Sequence, residues 1–154
     1  MIRVQREDFD IGAEIEALTG GNDKIGAVAS FVGITRADAG KDAGDAVTAM
    51  TLEHYPAMTE KQLADIEAEA CRRWHLTASL IVHRYGRLEP GDRIVLVVTA
   101  AAHRRAALDA CAFLIDWLKT KAPFWKREET ADGARWVAAR DSDDRAAERW
   151  QGAS

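Results

Sequence analysis

The chain has 154 residues, 47% hydrophobic and 30% charged, which is the composition of one ordinary domain, residues 1–154, and not of a disordered chain. Its 21 basic and 25 acidic residues give a net charge of −4, which argues against a general polyanion binder. Two cysteines exclude a disulfide-dense scaffold or a Cys-rich zinc site, and with no apolar run near the ~18 residues of a membrane span and no signal-peptide core, a cytoplasmic protein is expected.

Residues 1–6 read as a short strand. Residues 10–18 read as a helix capped by Asp10, with Ile11, Ile15 and Leu18 on one face. Ile25 to Ile34 is apolar and β-branched and predicts a strand. Arg36 to Ala46, with its glycines and aspartates, predicts a mobile loop. Val47 to His54 is a further strand. Thr59-Glu60-Lys61-Gln62 has the pattern of a capping box, followed by Leu63, Ile66, Ala70 and Trp74 at helical spacing. Leu76 to Tyr85 is strand-like, and Gly86 to Asp92 reads as a turn around Pro90-Gly91. Arg93 to Ala101 is almost wholly apolar, as a strand covered on both faces should be.

Residues 103–120 carry the clearest helical period. Ala107, Ala110, Cys111, Leu114 and Leu118 share one face, and Arg105, Asp109, Asp116 and Lys119 the other. Phe124 to Glu129 and Ala134 to Val137 flank Asp132-Gly133 and predict a hairpin. Asp141 to Trp150 predicts a terminal helix. The order β-α-β-β-α-β-β-α-β-β-α, with adjacent hairpins, argues for an α+β fold over a doubly wound parallel sheet.

Charge placement carries the functional signal. Between His103 and Arg127 six cations (Arg104, Arg105, Lys119, Lys121, Lys126, Arg127) meet only two carboxylates, Asp109 and Asp116. His103-Arg104 sits where a strand gives way to a helix N-terminus, whose free N–H groups already favour an anion. A basic pair there suits a phosphate or carboxylate. The plain alternative is a solvated helix start. Lys119 and Lys126 bracket a Pro-Phe-Trp segment. A lysine among other cations has its neutral form favoured, which makes it a better base or nucleophile. Complementing the helix dipole explains Lys119 and Lys121 equally well but explains Lys126 poorly, because it lies beyond Pro123.

His54, His75 and His83 lack metal-ligand spacing and read as structural. Cys111 reads as core packing. Trp74 and Trp117 fit helix core faces, while Trp125, Trp136 and Trp150 are left for an interface. No nucleophile-elbow, P-loop or dinucleotide fingerprint is present.

Several stretches resemble the large, catalytic subunits of molybdopterin synthase. They are Phe31-Val32-Gly33-Ile34-Thr35-Arg36, Leu52-Glu53-His54-Tyr55-Pro56, Val82-His83-Arg84-Tyr85-Gly86, Ala102-His103-Arg104, Lys119-Thr120-Lys121-Ala122-Pro123-Phe124-Trp125-Lys126-Arg127-Glu128 and Arg135-Trp136-Val137. The likeness runs from about Gly26 to Trp150. It implies an α/β-hammerhead type of α+β fold, with a mixed, mostly antiparallel sheet, packed helices and a C-terminal hairpin.

The resemblance also implies a sulfurtransferase of molybdenum cofactor biosynthesis. Such an enzyme converts cyclic pyranopterin monophosphate into molybdopterin, with sulfur arriving as a thiocarboxylate on the C-terminal Gly-Gly of a small ubiquitin-like subunit. A heterotetramer built on a dimer of large subunits is implied, with no metal or organic cofactor. Lys119 and Lys126 take the catalytic roles. Ile34, Thr35, Arg36, His103, Arg104, Arg127 and Glu128 join them in binding substrate, and Arg140 reaches across the dimer. Ala37-Asp38 departs from the family, which usually carries a polar residue such as Asn after this arginine. The competing expectations are an idle member that only binds the small subunit, and a nucleic-acid module built on the basic window with Phe124 and Trp125 for stacking.

Overall fold

The computed structural model describes residues 1–37, 46–137 and 141–152. The chain runs β1 (Ile2–Gln5), α1 (Ile11–Thr19), β2 (Ala27–Ile34), β3 (Val47–His54), α2 (Pro56–Trp74), β4 (Ala78–Arg84), β5 (Gly86–Leu88), β6 (Arg93–Ala101), α3 (Arg104–Lys121), β7 (Phe124–Thr130), β8 (Gly133–Val137) and α4 (Asp141–Glu148). It is an α+β architecture in which the strands divide between two four-stranded sheets. One has the order β1-β4-β6-β2 and the other β5-β3-β7-β8. Among the described strands only β1 and β4 pair in parallel; the other pairs are antiparallel.

The first sheet is a middle layer, and its two central strands show why they are apolar throughout. Ile81 and Val97 point into a core with Leu63 and Ala70 of α2 and Phe113 and Leu114 of α3. Their neighbours Leu80, Val82, Leu96 and Val98 point the other way, onto Phe9 and the Ile11, Ile15 and Leu18 face of α1. Both faces are covered, so alternation disappears. Burying each such side chain is worth about 1.5–3 kcal/mol. A smaller cluster of Met50, Leu52 and Leu88 joins the second sheet to the first through Ile94 and Phe124.

Two boundaries differ from the sequence expectation. α2 starts at Pro56, not at Thr59. Proline has no N–H to lose at the first helical position and its φ is already helical, so it wins over the capping-box pattern. Thr59 is fully buried, and its hydroxyl reaches the Pro123 carbonyl at 3.5 Å. Gly86 to Asp92 is not simply a turn, because Gly86–Leu88 forms β5 against β3. Gly86 has φ 89°, the region glycine enters without penalty, and there the chain crosses from one sheet to the other. Asp10 caps α1 as expected, accepting from the Ala13 N–H at 2.8 Å.

Trp150 does not stand free for an interface. It packs edge-on against Trp74 at 5.6 Å, and its indole N–H donates to Asp116 at 2.7 Å. Cys111 is buried as expected, and burial pushes its thiol up to about 11. Among the described residues no helix is long and apolar enough to cross a membrane.

Candidate functional site

A cleft of about 500 Å³ opens where the end of β2, the last turn of α3 and the start of β7 meet. Ile34, Thr35, Arg36, Lys119, Lys126 and Glu128 line it, all six expected from the sequence. Lys119 is exposed in the last turn of α3, and no described carboxylate pairs with it. Its neighbour Leu118 points into the core and anchors that turn.

Strand alternation sorts β7. Phe124, Lys126 and Glu128 face the cleft, as a period of two requires. Glu128 is 5% exposed. One carboxylate oxygen lies 3.2 Å from Lys126 Nζ and the other 3.6 Å from an Arg135 guanidinium nitrogen. Lys126 is therefore held by an anion, and its setting is not the purely cationic one expected from the charge count. Arg127 shares the opposite face with its cross-strand partners Thr51 and Trp136 and does not line the cleft of its own chain.

Truncation of Glu128 to alanine is expected to cost about 1–2 kcal/mol, because the half-exposed cations it leaves can turn to water. The same change should lower turnover by releasing Lys126; urea unfolding and a rate measurement check the two effects.

Thr35 is fixed by its backbone. Its N–H donates to the Asp92 carbonyl at 2.9 Å, and its own carbonyl accepts from the Gly91 N–H at 2.8 Å. Its hydroxyl is buried with no hydrogen-bond partner, the state of a polar group that a ligand would satisfy.

His103 and Arg104 are not in this cleft. They are exposed at the N-terminal end of α3. Fifteen residues of helix separate Arg104 from Lys119, about 22 Å at 1.5 Å per residue. They sit instead beside the start of β2, where the Gly26 N–H donates to the Ala101 carbonyl at 3.0 Å. A Cβ on Gly26 would stand 2.2 Å from the Ala102 carbonyl oxygen, so glycine is required for this approach. Residues 38–45, most of the segment expected as a loop and including Asp38, and Arg140 lie outside the described residues.

The sequence reading missed two cleft groups. Asp143 of α4 and His83 of β4 both line the wall. His83 stacks on Phe124 with ring centroids 3.8 Å apart, and burial holds its pKa down at about 4. The unfolded chain then takes up a proton between pH 6.5 and 4 that the folded chain refuses. Stability from His83 is therefore fully present above pH 6.5 and lost as pH falls through that window. The fall from 6.5 to about 4 corresponds to about 3 kcal/mol. Urea unfolding at pH 7 and pH 4.5 should show a smaller acid loss in His83→Phe than in the wild type.

Among the described residues no cluster of His, Cys, Asp or Glu is placed to hold a metal ion. The MoaE protein family model matches residues 4–121. A molybdopterin synthase catalytic subunit of Ralstonia nicotianae is 56% identical over 149 residues, covering 97% of this chain and 83% of that protein. The one from Pseudomonas aeruginosa is 56% identical over 150 residues, covering 97% and 98%. The solved structure of a molybdopterin biosynthesis MoaE protein from Burkholderia ambifaria superposes with a TM-score of 0.81 at 55% identity, covering 97% of each chain.

Proposed function

This chain belongs to the MoaE protein family, of which molybdopterin synthase catalytic subunits are members, and from that membership we propose that its cleft is where sulfur passes to a pterin. The donor is the C-terminal thiocarboxylate of a small ubiquitin-like subunit, and the acceptor is cyclic pyranopterin monophosphate. Each sulfur forms a bond to a substrate carbon that gives up a C–O bond in exchange, one oxygen leaving as water and the other staying on phosphorus as the cyclic ester opens; water takes the sulfur's place on the acyl carbon, and the carrier leaves as a carboxylate. Two such transfers complete the dithiolene. The chain acts in the cytoplasm as a single domain, and needs no metal or organic cofactor of its own.

The observation that carries this reading is the pair of lysines from different elements, Lys119 and Lys126, in one cleft with the buried Glu128. Both reactants are anionic, so they repel each other unless cations lie between them. Lys119, with no described counter-ion, meets the incoming C-terminus and serves as acid, base or transient nucleophile. Lys126, oriented by Glu128, steadies the acyl oxygen. Arg36 at the lip and the Thr35 hydroxyl bind the pterin phosphate region, with the Ile34 backbone along the edge.

The remaining cations come from a second copy. β2 is an edge strand of its sheet, with Val28, Phe31 and Ile34 all exposed, and an uncharged edge of this kind calls for a partner. β2 starts beside His103-Arg104 and ends at the cleft. Antiparallel pairing of β2 with its symmetry mate therefore lays each copy's His103 and Arg104 at the other's cleft. An eight-residue strand spans about 26 Å, close to the length of helix that separates the two cation groups.

The test is to mix the protein with thiocarboxylated carrier and the cyclic pterin and to weigh the product. Molybdopterin is expected. A carrier that binds without product would instead make the chain an idle binder.

A further inference from the structure

The cleft's cations can only donate hydrogen bonds, and this suits a phosphate and a thiocarboxylate but not a heterocycle, which also carries N–H donors of its own. Of the carboxylates in the wall, Glu128 has both oxygens engaged by Lys126 and Arg135. A free carboxylate beside the reactants would also repel them. A neutral acceptor avoids that cost, and His83 is one.

Its Nδ1 lies 2.9 Å from the Arg84 carbonyl oxygen. A carbonyl only accepts, so Nδ1 carries the proton and Nε2 presents the lone pair. No described residue donates to Nε2. The ring plane is fixed by the stack on Phe124, at an interplanar angle of 14°. His54 packs on the same phenyl ring at 5.7 Å. Burial keeps the His83 imidazole uncharged at neutral pH.

We propose that His83 is a specificity-determining residue of the cleft, its Nε2 accepting a hydrogen bond from a ring N–H of the pterin. This rests on the proposed function, and it adds a group that reads the heterocycle where the cations read only charge. A site built to accept from an N–H discriminates sharply against analogues that lack it.

The experiment compares His83→Phe, which keeps the aromatic stack and removes the acceptor, with His83→Gln, whose amide oxygen reaches the place of Nε2. KM and kcat for the cyclic pterin are measured at saturating thiocarboxylated carrier, with calorimetric pterin binding to the carrier-free protein alongside. The phenylalanine variant should raise KM and Kd by about tenfold to a hundredfold, with kcat within a few fold of wild type. The glutamine variant should recover part of the loss. If His83→Phe does not fold, His83→Asn carries the test, because its amide reaches the Arg84 carbonyl but falls short of Nε2; it should lose affinity where His83→Gln keeps it.

Unchanged KM and Kd in the phenylalanine variant would overturn the assignment, as would a fall in kcat at unchanged KM. A wild type that turns over normally beside an unaffected variant sinks only the role of His83. A wild type that binds no pterin sinks the proposed function with it.

Discussion

Lys119→Ala is expected to lower product formation by about a thousandfold or more while the protein stays folded and keeps its melting temperature within a few degrees. The first half follows from position. Lys119 lies in the cleft wall without a described counter-ion, so its charge is available to whatever anion enters. Its removal leaves two anionic reactants with one lysine between them. The second half follows from exposure. Lys119 is on the solvent side of α3, and exposed substitutions that break no buried contact usually change stability by less than about 0.5 kcal/mol. Product mass and thermal unfolding, measured on one preparation, read both halves. Activity equal to wild type would remove Lys119 from the chemistry, and loss of the fold would make it a structural lysine.

The second large effect is expected from mixing variants. Arg104→Ala alone should lower kcat/KM by about a hundredfold or more, since it removes a cation from the phosphate. Lys119→Ala alone should be inactive. In a hybrid dimer of the two, one cleft carries both changes and the other carries neither, if Arg104 acts across the two-fold axis. Random reassortment makes half the dimers hybrids, so activity should return to about a quarter of wild type. If Arg104 acted within its own chain, every cleft in the hybrid would carry one defect and no activity would return. Titrating one variant against the other separates these outcomes.

The elements legible in the sequence were those whose signal is local. β6 was clear because seven of its nine residues from Arg93 to Ala101 are apolar and fill both faces, and α3 because its apolar stripe runs for several turns. β5 has three residues, too few for a period, and its existence depends on pairing with β3. The division into two sheets was invisible for the same reason: partner choice is set by contacts distant in sequence, and no local pattern records it. At α2, two start signals competed, and the proline at Pro56 outweighed the capping-box pattern three residues later.

The site divides along similar lines. Lys119 and Lys126 are seven residues apart, and a helix end followed by a strand brings them together, so the charge count found them. The face that Arg127 takes was also legible, because alternation in a strand puts it opposite Lys126 and Glu128. The separation of Arg104 from Lys119 was also available, since a helix of that length cannot bring both ends into one pocket. His83 had no local signal. Its place in the cleft comes from its pairing partners in the first sheet and from its stack on Phe124 in the second, both of them tertiary facts.

Sulfur transfer is most directly tested by isotope. A carrier whose terminal thiocarboxylate holds a heavy sulfur isotope is mixed with this protein and the cyclic pterin, and the product is weighed. The account predicts molybdopterin with both dithiolene sulfurs labelled and the carrier returned as its carboxylate. Product without label, or carrier that keeps its label while product forms, would contradict it.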